Sequence, residues 1–248
     1  MIRVHQEDIC QAMGIPPTKK YQNEGGPTPT DVVELLRTYS TDREADLETF
    51  VSALVFNWLI GGSDAHAKNY SLLLASGPLV RLAPLYDIAS ILPYDNVDQR
   101  KIKLAMKVGG EYKLDQIGLR QWQKFSRELR VDADVLIATL ISMAGQIPDP
   151  VADIRTRAQK EGLENAVIER LATALGVGAK DCEHVLKGSR IRIIHQLKGV
   201  ERNHELVHSD IGALAERLPD KPVAASPYAR PELRLASARP ALNFAGRN

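Results

Sequence analysis

The sequence predicts a mainly α-helical (α+β) fold, in which a small β-hairpin joins loops rich in polar residues. Three observations predict this class. A stripe of apolar residues at helical spacing runs from Leu47 to Leu59. Two short apolar runs flank Ser76-Gly77-Pro78, as in a hairpin. Helical periodicity then returns from Leu119 and continues to about Leu175.

The first two helices are predicted from their start and stop signals. Residues 5–13 have the pattern of a short helix, and Gly14 is a common residue just past a helix C-terminus. A second helix is expected near Thr28, with Pro29 at its first position and Asp31 in its first turn.

The third helix has the strongest pattern in the chain. Thr41-x-x-Glu44 has the form of a capping box at its start. Each large apolar side chain that it buries stabilises the fold by roughly 1.5 to 3 kcal/mol. We therefore expect it to be the main core element of its domain. The stripe consists of Leu47, Phe50, Val51, Leu54, Val55, Trp58 and Leu59.

The remaining elements follow from shorter patterns. Residues 70–74 and 79–82 are the predicted hairpin strands, and residues 102–106 are a further candidate strand. Three lysines beside that strand fit a solvated face better than a phosphate contact. We expect core packing for Trp122 and Phe125. The three lysines are Lys101, Lys103 and Lys107.

Helix-breaking residues suggest the boundaries in the second half of the chain. Pro148 and Pro150 should interrupt the helical region, and Gly176 and Gly178 should end it. We therefore expect a first domain over residues 1–175 and a helical extension over residues 176–220, with one or two helices in residues 183–218. Residues 221–248 are rich in Ala, Pro and Arg and are expected to be disordered and dispensable.

Composition excludes several classes of protein. The 248 residues carry a net charge of +1, so no global charge field favours nucleic acid or an anionic membrane. The apolar runs are shorter than a membrane span, and a signal-peptide core is absent, which predicts a cytoplasmic protein. Cys10 and Cys182 form no metal-ligand pattern, and Cys10 is expected to be buried.

A polar loop follows the third helix directly. Two glycines end the apolar stripe, and Asp64, His66, Lys68 and Asn69 then occur within six residues. Asp87 follows eighteen residues after Asn69, beyond the hairpin. Asp-x-x-x-x-Asn followed by a later Asp is the minimal pattern of a protein-kinase catalytic loop and its second metal-binding carboxylate. Phosphoryl transfer needs one carboxylate for the attacking hydroxyl, plus an amide oxygen and a second carboxylate for Mg²⁺.

Two other interpretations of the polar residues are open. Asp and Asn also favour turns and helix caps, which would make Asp64, Asn69 and Asp87 structural. His204-Glu205-x-x-His208 has the H-E-x-x-H pattern of zinc peptidases, in which two imidazoles bind the metal and the Glu activates water. The extended form of that motif is absent, and the remaining third ligand would be Glu232 in the Pro- and Ala-rich tail. A solvated helical face fits the His-Glu pattern better.

Several independent segments, in this order, resemble the C-terminal lobe of the HipA family, the toxin kinases of bacterial toxin-antitoxin modules. The resemblance covers roughly residues 1–175 and implies a protein-kinase-like C-lobe. The matching segments are His5-Gln6-Glu7-Asp8, Lys20-Tyr21, Gly25-Gly26-Pro27, Trp58-Leu59-Ile60-Gly61, Asp64-x-His66-Ala67-Lys68-Asn69-x-Ser71, Pro84-x-Tyr86-Asp87 and Lys103-Leu104-Ala105-Met106.

The resemblance implies a role for each matching polar residue. Asp64 would be the catalytic base, and Asn69 and Asp87 would bind Mg²⁺. ATP would bind as a cofactor together with Mg²⁺, and the side chains of His66, Lys68 and Tyr86 would line its phosphates. The implied cofactor-binding set is His66, Ala67, Lys68, Asn69, Tyr86 and Asp87.

The resemblance also implies partners. The phosphoryl acceptor would be a serine or threonine of a protein, such as a glutamyl-tRNA synthetase. A helix-turn-helix antitoxin would bind the chain and link it indirectly to DNA. No Gly-rich phosphate loop occurs before Asp64, so the sequence predicts a catalytic lobe without its N-terminal ATP-binding lobe, which could be encoded separately. A non-catalytic, antitoxin-docking remnant is the alternative.

Overall fold

Helices and two small antiparallel sheets make up the described part of the chain, residues 4–163 and 165–187 of a computed structural model. The helices are α1 (Ile9–Ala12), α2 (Pro29–Tyr39), α3 (Arg43–Ile60), α4 (Leu119–Leu129), α5 (Ala133–Gln146), α6 (Pro148–Lys160) and α7 (Ala166–Lys187). The strands are β1 (His5–Asp8), β2 (Ser71–Leu74), β3 (Val80–Leu82), β4 (Lys103–Val108) and β5 (Glu111–Lys113).

The predicted hairpin is present as β2 and β3, which pair antiparallel with Leu72 opposite Leu82. β1 pairs with the other edge of β2, with Asp8 opposite Ser71. The prediction of a helix over residues 5–13 is therefore wrong for its first half. Asp8 caps α1 in a reciprocal capping box with Gln11. Residues before this cap are free to pair as a strand, and α1 runs only from Ile9 to Ala12.

The start of α2 confirms the sequence prediction. Thr28 is the N-cap, Pro29 occupies the first turn, and the Asp31 side chain accepts a hydrogen bond from the Thr28 backbone N–H. The Thr28 hydroxyl accepts one from the Asp31 N–H in return. A helix start with both donors satisfied positions the buried face of α2, including Val33 and Leu36, against α3.

The start of α3 differs by one residue from the prediction. Asp42, not Thr41, caps the helix by accepting a hydrogen bond from the Ala45 N–H. Thr41 instead donates its hydroxyl to the carbonyl of Val80 in β3, a contact that a local pattern cannot show. The predicted apolar stripe is confirmed as core, with Leu47 partly buried at its edge.

Aromatic residues connect α3 to the C-terminal helices. Trp122 and Phe125 of α4 are almost fully buried, as predicted. The Trp122 ring lies edge-to-face with Trp58 of α3, with centroids 5.6 Å apart. α3 thus contacts β3 of the N-terminal sheet and also packs against the C-terminal helices α4, α5 and α7. Cys10 is also buried in this core, as expected.

The C-terminal helices confirm one predicted break and contradict another. The chain breaks at Ile147, and Pro148 lies in the first turn of α6, where its missing N–H costs nothing. Gly176 and Gly178 do not end the helical region, because α7 continues to Lys187. A mid-helix glycine costs only about 1 kcal/mol relative to alanine. Leu171 and Leu175 pack into the core and supply the stabilisation that offsets this cost.

Within the described residues, the segment Ala133–Lys160 is long and apolar enough in composition to cross a membrane. It consists of two helices, α5 and α6, separated at Ile147. Leu136, Ile137 and Leu140 of α5 are buried in the protein core. Packing in the core accounts for these apolar residues. Residues 188–220, the expected disordered tail and the His204-Glu205-x-x-His208 pattern lie outside the described residues.

Asp46 is a buried carboxylate, 3% exposed, at the start of α3. It accepts hydrogen bonds from the Ser40 hydroxyl (2.6 Å), the Leu82 backbone N–H (2.7 Å) and Arg81 Nε (3.0 Å). These contacts join α3 to the segment before it and to β3. The polar node therefore fixes the hairpin on the helix that precedes the polar loop of residues 63–69.

Replacing Asp46 with asparagine keeps the side-chain size but removes the charge that pairs with Arg81. We expect the free energy of unfolding to fall by about 2 to 4 kcal/mol. One carboxylate oxygen becomes an NH₂ donor, so either Arg81, or Ser40 together with Leu82, loses its acceptor in a buried site. Chemical denaturation measures this loss. Glu48→Gln, the same change at an exposed position of α3, is the control and should change stability by less than about 0.5 kcal/mol. Equal effects of the two variants would contradict the assignment.

Candidate functional site

The polar loop begins where α3 ends. Gly61 adopts the left-handed conformation (φ 66°) as the C-cap of α3, which explains the need for glycine there. A Cβ at Gly62 would overlap the side-chain oxygen of Asn57, so the second glycine is required by close approach. The chain can then turn sharply and place residues 63–69 against the buried end of the helix.

Asn69 and Asp87 come together although eighteen residues separate them. Asn69 Nδ2 donates to Asp87 Oδ2 at 2.9 Å and to the Asp87 backbone carbonyl at 3.3 Å. Asn69 is 5% exposed, and its Oδ1 is buried without a hydrogen-bond partner in the described part of the chain. Asp87 has a positive φ of 56°, which is uncommon for a residue other than glycine. Such strain is concentrated at functional sites.

Asp64 is exposed and has one side-chain partner in the described residues. The Tyr21 hydroxyl donates to Asp64 Oδ1 at 2.5 Å, within the range of a charge-assisted O–H···O⁻ bond. This hydrogen bond, followed by burial and the negative charge of Asp64, raises the pKa of Tyr21 to about 12. Tyr21 therefore stays a hydrogen-bond donor at neutral pH. The Asp64 carbonyl accepts from the His66 N–H at 2.8 Å, which tightens the loop.

His66 lies beneath the loop, with 6% of its surface exposed. Its ring meets Tyr21 edge-to-face at 5.1 Å, and Nδ1 has no hydrogen-bond partner among the described residues. Burial is the main cause that lowers the pKa of His66, and the nearby Lys20 charge adds to it. The imidazole is therefore neutral near pH 7. The negative charges of Asp64 and Asp87 raise the pKa of His66, but burial and the Lys20 charge lower it by more.

Two other predicted phosphate-binding side chains already have protein partners. Lys68 Nζ donates to Asp8 Oδ2 at 2.6 Å, and this bond raises the pKa of Lys68. The Tyr86 hydroxyl donates to the Lys68 carbonyl at 2.6 Å and lies 2.5 Å from Ser71 Oγ. These contacts join β1, the polar loop and the segment that carries Asp87. Ala67 is buried, and its N–H donates to the carbonyl of Lys20.

A small open pocket of about 210 Å³ lies beside Asn69 and Asp87. This volume includes open solvent, and the enclosed room is only about 10 Å³, near what one water molecule needs. Ligand pockets for whole cofactors are usually about 300 to 1,000 Å³. The enclosed room is therefore of the size of a single small ion and not of a nucleotide. Asn57, Leu85, Tyr86 and Ile88 are among its other lining residues.

The residues present fit a magnesium ion. Mg²⁺ prefers oxygen ligands and is usually bound by one or two carboxylates, with water and phosphate completing its shell. The Asp87 carboxylate lies beside an open pocket, and Asn69 Oδ1 is a buried oxygen without a partner among the described residues. The Asn69 amide directs its Nδ2 toward Asp87, so both residues would hold one ion only with the amide turned to bring Oδ1 to that side. Among the described residues, no group of three or more His, Cys, Asp or Glu side chains is placed to hold a metal ion.

Comparison with known proteins identifies the family. A family model described as the HipA-like C-terminal domain matches residues 2–151, more than half of the chain. The chain belongs to this HipA-like family. "Putative kinase Y4mE" of Sinorhizobium fredii is 35% identical over 179 residues, covering 72% of this chain and 41% of the relative. The serine/threonine-protein kinase toxin HipA of Shewanella oneidensis is 30% identical over 165 residues, which cover 62% of this chain and 37% of that relative.

A solved structure shows the same fold. The Shewanella oneidensis HipA in a complex with HipB and operator DNA matches with a TM-score of 0.67 at 24% identity. The match covers 76% of this chain and 46% of that one. The chain thus spans about two fifths of the length of the curated HipA-like relatives it matches, and the kinase-like α+β fold is the part that the comparison establishes.

Sequence reasoning assigned no role to Tyr21 or Asp8, although both lie in segments that carry the HipA resemblance. Tyr21 contacts Asp64 across 43 positions, and Asp8 contacts Lys68 across 60. A local pattern contains no signal for such pairs. The sequence offered one hint of a role for these residues. Both lie in segments that resemble the HipA family, Lys20-Tyr21 and His5-Gln6-Glu7-Asp8.

The pKa depression of His66 predicts a pH dependence of stability. An imidazole whose folded-state pKa lies below its ordinary value of 6.5 favours the neutral form in the folded protein. Its contribution is fully present above pH 6.5 and is lost as the pH falls below that value, at no more than about 1.4 kcal/mol per pH unit. Denaturation of the chain between about pH 7 and pH 5 measures the slope.

His66→Gln removes the titrating group, so the stability of this variant should depend less on pH in that range, whatever its absolute value. His5→Gln is the control, because the side chain of His5 is 66% exposed. A slope that His66→Gln leaves unchanged would contradict the neutral, buried state of this histidine.

Proposed function

We propose that the chain is the catalytic lobe of a HipA-like serine/threonine protein kinase of a toxin-antitoxin module. Asp64 acts as the base for the acceptor hydroxyl, and Asn69 and Asp87 hold Mg²⁺. His66, Ala67, Lys68 and Tyr86 form the surroundings of the nucleotide phosphates. The observation that carries the proposal is the contact between Asn69 and Asp87, with an unpartnered Asn69 oxygen beside an open pocket.

The exposure of Asp64 supports its proposed role. An acceptor hydroxyl must reach the carboxylate, and Asp64 is solvent-accessible at the surface of the loop. One of its oxygens is occupied by Tyr21, and Oδ2 has no hydrogen-bond partner among the described residues. Asp64 can therefore accept a second hydrogen bond, from a serine or threonine hydroxyl, without losing its first.

The polar side chains around the phosphates divide into two groups. Asn69 and Asp87 present oxygens for Mg²⁺, which when bound supplies positive charge against the phosphate oxygens. Lys68 and Tyr86 are held by Asp8, Ser71 and backbone, so they mainly fix the loop and bring their positive charge and ring close to the site. His66 contributes a neutral ring beneath the loop.

The matched relatives are more than twice as long as the aligned region. We propose that the side of the site that holds adenine corresponds to the relatives' unmatched length, whether in the same polypeptide or in a separately encoded one. Residues 1–175 are then the kinase lobe, and α7 continues from this lobe to Lys187. A cytoplasmic location is part of this proposal.

The proposed partners follow from the relatives. The matched Shewanella oneidensis structure contains HipA, HipB and operator DNA, which supports a helix-turn-helix antitoxin as the partner and an indirect link to DNA. A protein serine or threonine is the proposed acceptor, with a glutamyl-tRNA synthetase as the first target to test. A docking module without activity is less well supported, because it gives no reason for the strained Asp87 and the unpartnered Asn69 oxygen.

Asp64→Asn tests the base in a protein that contains a complete nucleotide site. The change keeps the shape but removes the proton acceptor, so the rate of phosphoryl transfer should fall by about 10²- to 10⁴-fold. Transfer of labelled phosphate to a protein acceptor measures the rate. Asp87→Asn should instead weaken metal-dependent nucleotide binding.

Asp98→Asn is the matched control for both variants, because Asp98 is exposed in the loop after Asp87 and pairs only with Arg100 and Lys101 among the described residues. Its activity should be close to that of the unmodified protein. Near-normal turnover by the Asp64 variant would show that the base is assigned incorrectly.

The size of the pocket predicts weak nucleotide binding by the 248-residue chain alone. The enclosed room beside Asn69 and Asp87, about 10 Å³, is far too small to enclose adenine and ribose. We therefore expect a Mg·ATP dissociation constant above about 10 μM by calorimetry, corresponding to less than about 7 kcal/mol of binding free energy. Inorganic triphosphate should bind almost as well as ATP. A micromolar or tighter constant for ATP alone would contradict this prediction.

A further inference from the structure

Tyr21 approaches the catalytic loop from a different part of the chain. It lies between two short turns ahead of α2, and its hydroxyl donates to Asp64 Oδ1 at 2.5 Å. The hydrogen bond joins residues 43 positions apart. It leaves Asp64 Oδ2 with no hydrogen-bond partner in the described residues. One oxygen of the carboxylate is therefore fixed while the other remains available.

The backbone around Tyr21 is anchored on several sides. The Tyr21 carbonyl accepts from the N–H groups of Gly26 (2.9 Å) and Glu24 (3.0 Å). The Lys20 carbonyl accepts from the Ala67 N–H of the catalytic loop at 3.2 Å. A Cβ at Gly26 would overlap the Lys19 carbonyl, so glycine is needed for this close packing. Tyr21 is thus held on the loop that contains Asp64 by main-chain as well as side-chain contacts.

A second anchor comes from the other sheet. Gln22, the residue after Tyr21, accepts a hydrogen bond through Oε1 from the Lys107 N–H of β4 at 2.7 Å. The segment 19–26 therefore connects β4 to the catalytic loop. A tyrosine on such a segment has little freedom to move its hydroxyl away from Asp64.

We propose that Tyr21 is a positioning residue for the catalytic base, holding Asp64 by Oδ1 so that Oδ2 is presented to the acceptor hydroxyl. The proposal rests on the function proposed for Asp64 and assigns a role to a residue outside the catalytic loop. Fixing one oxygen removes rotation of the carboxylate about its terminal bond. A base that is already oriented loses less entropy when the acceptor binds, and small misplacements of a reacting group cost large factors in rate.

The charges around Tyr21 are consistent with this role. Lys20 Nζ lies 5.0 Å from the Tyr21 ring centroid, Glu24 lies nearby on the same segment, and His66 meets the ring edge. The hydrogen bond to Asp64, burial and the charges of Asp64 and Glu24 all raise the pKa of Tyr21. The phenol therefore remains protonated and keeps donating to Asp64 over the pH range in which a kinase works.

A different role for the same contact is conceivable on chemical grounds. A hydroxyl on the base of a kinase also resembles an acceptor, so Tyr21 could block the place of the substrate. The anchored backbone of segment 19–26 favours the positioning role, because a blocking group must be able to leave. The two roles predict opposite effects when the hydroxyl is removed.

The first experiment tests the hydrogen bond between Tyr21 and Asp64 through the ionisation of the Tyr21 phenol, and it needs no enzyme activity. Tyrosines of the 248-residue chain are labelled with ¹³C at Cζ, and the Tyr21 signal is identified by its absence in Tyr21→Phe. At about pH 11 most of an ordinary phenol is ionised, whereas the Tyr21 signal should remain that of the protonated form. In Asp64→Asn the Tyr21 signal should titrate closer to pH 10. Circular dichroism at the same pH checks that the chain remains folded.

The second experiment reads the role in a protein that shows phosphoryl transfer dependent on Asp64. Tyr21→Phe keeps the ring and its contact with His66, and it should lower kcat by about 10- to 100-fold. The nucleotide dissociation constant should stay within about twofold, because Tyr21 is assigned no nucleotide contact. Tyr112→Phe is the matched control, since the Tyr112 hydroxyl has no hydrogen-bond partner in the described chain. This variant should keep normal kcat.

The outcomes separate this inference from the proposed function. A Tyr21 signal that titrates normally in the unmodified chain overturns the positioning role, whatever the kinetics. Unchanged or increased kcat in Tyr21→Phe also overturns it, and an increase indicates a blocking hydroxyl instead. If Asp64→Asn retains normal phosphoryl transfer, the proposed function fails, and the role of Tyr21 as an aid to the base fails with it. Loss of kcat together with a hydrogen bond that depends on Asp64 supports the inference.

Discussion

The way in which α3 ends is the constraint on which the candidate site depends. The last carbonyls of a helix lack partners within the helix and must be satisfied by other groups. Here the Ser90 hydroxyl donates to the Ile60 carbonyl at 2.5 Å, and the Ile91 N–H donates to the Gly61 carbonyl at 3.2 Å. The loop with Asn69 leaves this helix end directly, and the segment after Asp87 returns to it. One buried helix end therefore fixes both segments that carry the proposed metal ligands.

The site combines well-satisfied supports with a few groups that the protein leaves unsatisfied. Lys68 and Tyr86 are bound by neighbouring protein groups, which makes the loop rigid. In contrast, the Asn69 oxygen has no partner among the described residues, and Asp87 holds an uncommon backbone conformation. Such features cost stability, on the order of 1 to 3 kcal/mol each, and persist where the surroundings enforce them. The surrounding rigid contacts hold these groups in place despite that cost.

Local sequence patterns predicted the elements that depend on nearby residues and failed for elements that depend on distant contacts. The cap of α2 and the stripe of α3 depend on neighbours within a few residues, so both could be predicted. Residues 5–8 form a strand because β2 offers a free edge, which local helical spacing could not indicate. Thr41 binds Val80 rather than capping α3. The residues of α7 that precede its glycines, Leu171 and Leu175, pack into the core. The errors at residues 5–8 and at Thr41 arose where a distant contact outweighed a local preference.

The sequence by itself determined which polar groups the candidate site contains. The order and spacing of Asp64, Asn69 and Asp87, and the segments around them, indicated a base, oxygen ligands and the HipA family. Only the tertiary structure decided how these groups are held. Tyr21 reaches Asp64 across 43 positions and Asp8 reaches Lys68 across 60, because the packing of the loop before α2 and of β1 brings them together. Which polar side chains occur in the loop can be seen from neighbouring residues in the sequence. How those side chains are oriented depends on contacts between segments that meet only after folding.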